Sequence, residues 1–161
     1  MSQIRVGLGY DVHRLQTGCE MLLGGVAVPA ECSAVGHSDG DVVLHAVIDS
    51  ILGAAGIGDI GTMFPDTDPS IKGMASALML RAVMDLVRNR GWVVMNLDVV
   101  LILEEPRISP FIAAIRSTIA AELGVSDEVV SVKGKTNEGL GEVGNGEAVA
   151  CHAVVLLEMA A

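Results

Sequence analysis

Residues 36–49 constrain the fold more than any other part of the sequence. They form a polar turn that contains glycine and runs directly into an apolar segment with helical spacing. Ser38 and Asp41 match the S-x-x-[DE] pattern of a helix N-terminus, so we predict that a helix begins near Asp39. Side chains four residues apart share one face of a helix, which would place His45 between the carboxylates of Asp41 and Asp49. The segment therefore predicts a histidine that can ligate a metal and two carboxylates that orient it.

His37 and Ser38 come just before this predicted helix. The free backbone N–H groups and the dipole at a helix N-terminus favour an anion such as phosphate. The same element therefore predicts a metal site and an anion site next to each other.

A second group of candidate ligands lies near the N-terminus, where residues 4–10 alternate like a β-strand. Asp11 and His13 would project to the same side of that strand, because side chains alternate between its two faces. Such a pair alone is more often a surface polar pair, since short motifs give many false matches. Together with His45 it supplies three ligands, the number that a catalytic zinc uses while its fourth position stays open.

The charge of the chain restricts its partners. Twenty acidic and ten basic residues give a net charge of -10 at pH 7, which argues against nucleic acid or an anionic membrane surface as a partner. If the substrate is an anion, bound cations have to offset its charge.

The chain is also rich in apolar residues, which make up 51% of it. We expect no transmembrane helix, because no apolar run reaches the roughly 18 residues that a membrane span needs, and we expect the surplus apolar surface to form an oligomer interface. Three cysteines without a C-x-x-C pair predict neither a disulfide framework nor a zinc ribbon. No signal peptide is apparent, so a cytoplasmic location is expected.

Periodicity and turn residues predict the remaining elements: a hairpin over 21–29 that turns at its two glycines, a helix over 76–90, a strand over 92–103, a helix that begins at Ser109 and Pro110 and ends near 123, and strands over 128–132 and 148–158. This order predicts an α/β sandwich, one domain over 1–161, with helices on one face of the sheet.

Two loops of this predicted fold carry chemistry. In the exposed loop at 58–69, Asp59 and Asp66 could accept hydrogen bonds from the hydroxyl groups of a polyol, or they could simply cap the segments that follow them. The glycine-rich loop at 133–141 offers two ammonium groups, a hydroxyl, an amide and a carboxylate, a mixture suited to phosphates and a divalent cation. It lacks the spacing of a Walker loop.

Four segments carry a resemblance to a known family: residues 9–14, residues 37–41 with His45, residues 58–61 with 64–69, and residues 133–141. In order and spacing they are similar to the 2-C-methyl-D-erythritol 2,4-cyclodiphosphate synthases of the non-mevalonate isoprenoid pathway, and the resemblance covers essentially the whole chain. It implies a mixed sheet with helices on one face and a chorismate-mutase-like homotrimer with active sites between subunits.

The resemblance also implies roles for individual residues. Asp11, His13 and His45 match the zinc ligands, Glu138 matches the ligand of a second cation, Mg²⁺ or Mn²⁺, and His37 and Thr136 match groups that stabilise the transition state. The helical spacing described above adds Asp41 and Asp49 as residues that would support the zinc ligands. The implied substrate-binding residues are Asp11, His13, His37, Ser38, Asp59, Ile60, Gly61, Phe64, Pro65, Asp66, Thr67, Asp68, Leu103, Pro106, Arg107, Ser109, Lys135, Thr136, Asn137 and Glu138.

The implied reaction converts 4-diphosphocytidyl-2-C-methyl-D-erythritol 2-phosphate to the cyclic diphosphate and CMP, by attack of the 2-phosphate on the β-phosphate. Two other functions are compatible with the same ligand set. In a zinc-dependent phosphohydrolase the open zinc position would hold water, although apart from Asp49 no general base is apparent there. A non-catalytic trimeric nucleotide-binding module would bind zinc and cytidine nucleotides without turnover.

Overall fold

The computed structural model describes residues 3–65 and 67–160, so Asp66 lies outside the described residues. These ranges contain seven strands: β1 (Ile4–Thr17), β2 (Glu20–Leu23), β3 (Val26–Pro29), β4 (Cys32–Ala34), β5 (Trp92–Ile102), β6 (Val130–Lys135) and β7 (Ala148–Met159). The α-helices are α1 (Val42–Ala55), α2 (Ile60–Met63), α3 (Ser76–Asn89), α4 (Ile112–Leu123) and α5 (Gly141–Gly144), and short 3₁₀ turns span Pro69–Ile71 and Asp127–Val129.

Five of the strands form one mixed sheet in the order β4-β1-β7-β5-β6. The β5–β6 pair is parallel and the other pairs are antiparallel. Strands β2 and β3 form a separate hairpin that turns at Gly24 and Gly25, both in the positive-φ region that suits glycine. The mixed α/β fold and the hairpin are thus confirmed.

Helix α1 lies directly on β1, and two glycines make this approach possible. A Cβ atom added at Gly7 would lie 1.9 Å from the carbonyl oxygen of Ser50, and one added at Gly9 would lie 1.9 Å from that of Ala46. Alternation along the strand puts residues 11 and 13 on the same face as these glycines. The candidate ligands of β1 therefore face α1.

Over residues 4–12, the side chains on the other face of β1, which points away from α1, are apolar and exposed to solvent in the single chain. The exposed fractions of these side chains run from 47% at Val12 to 68% at Val6. The apolar face, as used below, consists of Ile4, Val6, Leu8, Tyr10, Val12, Val93 and Val154. No helix in the ranges 3–65 and 67–160 is long and apolar enough to cross a membrane.

Several predicted boundaries need correction. Helix α1 begins at Val42 with Asp41 as its N-cap, not near Asp39. Helix α4 begins at Ile112 after Phe111, so Ser109 and Pro110 precede it without capping it.

The two predicted loops are also shorter than expected. The stretch 58–69 includes helix α2 and the start of a 3₁₀ turn, because aspartates there cap short helical segments. Residues 133–135 extend strand β6, since β5 provides parallel pairing partners out to Ile102.

Candidate active site

Three side chains from two elements meet between β1 and α1. Oδ2 of Asp11 lies 2.9 Å from Nε2 of His13 and 3.0 Å from Nδ1 of His45, and the two ring nitrogens lie 3.1 Å apart. The side chains are 11–27% exposed, so the group lies at the base of a cleft open to solvent. The structure brings together the three residues that the sequence singled out as metal ligands.

This donor set suits zinc. Three donors at about 2.0–2.1 Å from a tetrahedral zinc ion lie about 3.3 Å from one another, close to the distances found here. Two imidazoles and one carboxylate form a three-ligand set of the kind that catalytic zinc sites use.

Neighbouring groups orient both histidine rings. Nδ1 of His13 lies 2.7 Å from the carbonyl oxygen of Val35, so it donates its proton there and leaves Nε2 for a metal. On the other ring, Nε2 of His45 lies 2.9 Å from Oγ of Ser38 and 2.9 Å from Oγ of Ser76. In both rings the nitrogen that faces away from the cluster has a hydrogen-bond partner outside the cluster.

Charge interactions within the cluster favour the ionised carboxylate. Burial opposes ionisation of Asp11, but hydrogen bonds from His13 and His45 outweigh burial and hold its pKa well below the usual range. Burial disfavours protonated His13, yet the hydrogen bond to Asp11 raises the pKa of that ring. The group therefore presents a negative carboxylate, as a cation site requires.

Asp41 does not face His45, contrary to the prediction that its carboxylate lies beside the ring. Its fully buried carboxylate accepts hydrogen bonds from the amides of Val43 and Leu44 at 3.1 and 3.0 Å, and from those of Gly24 and Gly25 at 2.8 and 2.6 Å. Burial raises the pKa of Asp41 to about 6, and the hydrogen bonds from the amides of Gly25, Leu44 and Gly24 limit the rise. Asp41 thus joins the start of α1 to the turn of the hairpin.

Asp49 lies further along α1 and accepts a hydrogen bond from the amide of Ile60 at 2.8 Å. Burial raises the pKa of its carboxyl, and the neighbouring carboxylates of Asp59 and Asp11 contribute to the rise. Its direct structural role is to hold the beginning of α2 beside the cluster.

A first cavity of about 330 Å³ opens over the three donors. Its lining includes the following residues singled out from the sequence: Asp11, His13, His37, Ser38, His45, Ile60, Gly61 and Phe64. A smaller neighbouring cavity of about 120 Å³ shares His37 and is lined by Thr67 and Asp68. The metal-ligating and polyol-binding candidates therefore share one region.

A second cavity of about 500 Å³ lies at the C-terminal ends of β5 and β6. Its lining includes Leu103, Pro106, Arg107, Ser109, Lys135 and Thr136. The residues that line it, in the described ranges, are all different from those of the first cavity. The predicted site residues thus fall into two separate halves within one chain.

The loop after β6 positions the candidate ligand of a second cation. Glu138 has a φ of +54°, which is unusual for a residue other than glycine. Its Oε1 lies 3.3 Å from Oγ1 of Thr136, which donates to it. Oε1 of Glu104 accepts hydrogen bonds from the amides of Asn137 at 2.7 Å and Gly139 at 3.5 Å. These bonds tie the loop to the segment that follows β5.

Among the described residues, four predicted substrate-binding residues near α2 line neither the first nor the second cavity: Asp59, Pro65, Thr67 and Asp68. The carboxylate of Asp59 accepts from the amide of Thr62 and caps α2, and Pro65 is exposed beside it. Asp68 caps the following 3₁₀ turn through Ser70. The capping alternative therefore describes Asp59 in the single chain, whereas Asp66, the other residue for which it was stated, lies outside the described residues.

Sequence analysis missed Ser76, Asp39 and Glu104. Ser76 is fully buried and contacts His45 across 31 positions, a pairing that no local pattern signals. Glu104 was missed for the same reason, because its hydrogen-bond partners lie more than 30 positions away in the sequence.

The chain resembles known proteins in both sequence and fold. The family model described as "YgbB family" matches residues 4–158. The chain is 50% identical over 156 residues to the 2-C-methyl-D-erythritol 2,4-cyclodiphosphate synthase of Gloeobacter violaceus, covering 97% of this chain and 96% of that protein. It is 49% identical over 154 residues to the enzyme of the same name from Dechloromonas aromatica, covering 96% of each. A solved structure of Plasmodium falciparum IspF in complex with CDP superposes with a TM-score of 0.87 at 36% identity, covering 100% of this chain and 99% of that one.

Proposed function

The chain belongs to the YgbB family, the 2-C-methyl-D-erythritol 2,4-cyclodiphosphate synthases, and we propose that the two cavities described above are the two halves of its active site. The reaction converts 4-diphosphocytidyl-2-C-methyl-D-erythritol 2-phosphate to 2-C-methyl-D-erythritol 2,4-cyclodiphosphate and CMP. The enzyme is a lyase that breaks a phosphorus–oxygen bond of the diphosphate. Residues 1–161 act as one synthase domain, in keeping with the family match over 4–158.

The chemistry needs no protein nucleophile. An oxygen of the 2-phosphate attacks the β-phosphorus of the diphosphate in the same molecule, a new P–O bond closes the ring, and the bond to the α-phosphate breaks to release CMP. Because the attacking phosphate is part of the same substrate molecule, the protein mainly has to hold the substrate in a bent conformation that brings the 2-phosphate to the β-phosphorus. The first cavity is suited to this because its lining combines the apolar side chains of Ile60 and Phe64 with the polar cluster.

Asp11, His13 and His45 would hold zinc, and the single observation that carries this proposal is their mutual spacing of 2.9–3.1 Å. Bound zinc supplies positive charge for phosphoryl oxygens. His37 lines the same cavity and stabilises charge in the transition state by donating to a phosphate oxygen. A chain of net charge -10 can in this way bind a polyanion.

The second cavity would hold the cytidine monophosphate part. Lys135 supplies a positive charge and Thr136 a hydroxyl donor in its lining, and Glu138 on the adjoining loop would ligate Mg²⁺ or Mn²⁺. The CDP complex of the P. falciparum relative supports a cytidine nucleotide as ligand. Asp59, whose carboxylate is exposed, and Asp66 would receive the hydroxyl groups of the methylerythritol part.

The assembly follows from the apolar face. A sheet surface whose β1 side chains are 47–68% exposed is unfavourable in water and is typical of an interface. We propose that two further copies cover it in a chorismate-mutase-like homotrimer. Each active site would then combine the first cavity of one subunit with the second cavity of its neighbour.

We also propose a cytoplasmic location, which agrees with the three free cysteines. The decisive test of the function is a product assay with the purified enzyme, zinc and Mg²⁺. The cyclic diphosphate and CMP should appear in equal amounts. Inorganic phosphate without the cyclic product would favour a phosphohydrolase, and nucleotide binding without turnover would favour a binding module.

A further inference from the structure

The ring of His45 uses its two nitrogens for different contacts. Nδ1 belongs to the cluster, 3.0 Å from Oδ2 of Asp11, whereas Nε2 lies 2.9 Å from both Ser38 Oγ and Ser76 Oγ. A neutral imidazole that ligates a metal through Nδ1 carries its proton on Nε2, and this N–H group needs an acceptor. Which serine accepts it decides how firmly the ring is held.

Ser76 is the better acceptor because its own proton is already committed. It lies at the first position of α3 and is fully buried. Its hydroxyl donates to Oδ1 of Asp39, and its backbone N–H donates to Oδ2 of the same carboxylate at 2.8 Å. Since an ionised carboxylate only accepts hydrogen bonds, the Ser76 hydroxyl must donate to Asp39. Its lone pairs are then left for His45.

Ser38 is less constrained. It is half-buried and lines the first cavity, and its Oγ accepts a long hydrogen bond from the amide of Gly40 at 3.4 Å. In the described part of the chain, the Ser38 hydroxyl forms no hydrogen bond with a carboxylate. Ser38 can therefore turn towards a bound phosphate, which Ser76 cannot do.

We propose that Ser76, oriented by Asp39, is a positioning residue that holds His45 in the tautomer needed for zinc binding through Nδ1. The inference rests on the proposed function, because it concerns a ligand of the proposed zinc site. Neither residue lines the first cavity, so both act through His45 and not on the substrate. Loss of such an outer partner typically weakens metal binding about 10- to 100-fold.

The test compares Ser76→Ala with Ser50→Ala. Ser50 is a suitable control because its side chain is equally buried and its hydroxyl donates to the carbonyl oxygen of Val47 at 2.7 Å, within the helix that carries His45. Zinc dissociation constants are measured without substrate by competition with a chelator. Ser76→Ala should raise the constant about 10- to 100-fold, and Ser50→Ala should leave it within about two-fold of the parent enzyme.

Asp39→Asn provides a second variant with a sharper expectation. The side-chain NH₂ group that this substitution introduces would donate to Ser76 Oγ and turn the Ser76 hydroxyl towards His45, which favours the wrong tautomer. This variant should therefore lose zinc affinity by at least as much as Ser76→Ala, although the serine is intact. If Ser76→Ala does not fold, an unchanged zinc affinity in folded Asp39→Asn overturns the proposal by itself.

Nitrogen-15 NMR of the zinc-loaded protein provides a readout that a merely structural role would not change. The chain has four histidines, so the Nε2–H signal of His45 can be assigned by substitution. Its shift and solvent exchange should change in Ser76→Ala and stay the same in Ser50→Ala. A signal and a zinc affinity that respond to Ser38→Ala but not to Ser76→Ala would assign the acceptor role to Ser38 and overturn the proposal.

These measurements are independent of turnover. If the parent enzyme makes no cyclic diphosphate, the proposed reaction fails, but zinc affinities and the His45 signal still test the role of Ser76. If the reaction is confirmed and Ser76→Ala binds zinc like the parent enzyme, only the positioning role is lost.

Discussion

Nδ1 of His45 lies 3.0 Å from Oδ2 of Asp11, although 34 positions separate the two residues. The contact depends on the close approach of α1 to β1, where an added Cβ at Gly9 would strike the carbonyl oxygen of Ala46. Gly9 in the strand thus lets α1 come close enough to bring His45 to Asp11.

Replacing His45 with alanine should remove most of the bound zinc and most of the activity, because it leaves two protein ligands where a catalytic zinc needs three. Metal analysis of the purified variant is the measurement. Lys135→Glu, which changes the second cavity, serves as the control and should keep its zinc. One zinc per subunit in His45→Ala would contradict the assignment of this residue as a ligand.

Thr136→Ala should lower kcat by about 100-fold, the usual effect of removing one donor to a transition-state oxygen. The affinity for CMP should change little, because the interaction forms mainly in the transition state. Thr136→Ser keeps the hydroxyl and should keep most of the activity. An equal weakening of CMP binding and of kcat/KM in Thr136→Ala would instead make this hydroxyl a contact of the bound nucleotide.

Glu104→Ala should loosen the loop that carries Thr136 and Glu138, because the amides of Asn137 and Gly139 lose their acceptor. The expected result is a loss of Mn²⁺ affinity and of kcat/KM of about 10-fold, with zinc binding unchanged. Glu104→Gln keeps one carbonyl oxygen and should behave much more like the parent enzyme. If Glu104→Ala binds Mn²⁺ as tightly as the parent enzyme, the loop does not need this carboxylate to hold Glu138.

Asp41→Ala should lower the free energy of unfolding by about 2–4 kcal/mol, because it removes an N-cap and leaves four amides, two of them in the hairpin turn, without their acceptor. Urea unfolding at one fixed pH and protein concentration measures the effect. Asp59→Ala is the control, since Asp59 caps only the exposed helix α2 through one amide and should have a much smaller effect. Equal effects in both variants would mean that the hairpin contacts of Asp41 add nothing.

Asp41 also shows why sequence analysis located the helix imperfectly. The S-x-x-[DE] pattern placed the N-cap near Ser38, whereas Asp41, the acidic residue of the pattern, is the N-cap in the structure. That choice depends on Gly24 and Gly25, which lie 17 and 16 positions away and supply amides to the same carboxylate. Local pattern can find a helix start, but a tertiary contact decides which residue occupies it.

The Asp11 and His13 part of the metal cluster was predictable because it depends on local periodicity and not on a tertiary contact. Asp11 and His13 share a face because strand side chains alternate, and this periodicity survives in any strand. Ser76 was not predictable, because its contact with His45 depends on how α3 docks against α1. The apolar face was partly predictable: composition indicated surplus apolar surface, whereas its position on β1 needed the sheet order.

The separation of the two cavities leads to the last prediction, which concerns subunit mixing. His45→Ala damages only the first cavity, and Lys135→Glu damages only the second. If each site combines halves from two subunits, a mixed trimer of these variants contains one junction at which both halves are intact. Random mixing of equal amounts should then restore about a quarter of the parent activity, since about three-quarters of trimers are mixed and each has one intact site in three.

A pair of variants that damage the same cavity provides the control for this experiment. Asp11→Ala and His45→Ala both damage the first cavity, so no junction in their mixed trimers has an intact first half and no activity should return. Native mass spectrometry establishes that mixed trimers have formed in both experiments. Mixed trimers of His45→Ala and Lys135→Glu without recovered activity, while each parent variant stays folded, would mean that one chain supplies a complete site. The two cavities would then have to act within the same subunit, and the apolar face would have to be explained without a shared active site.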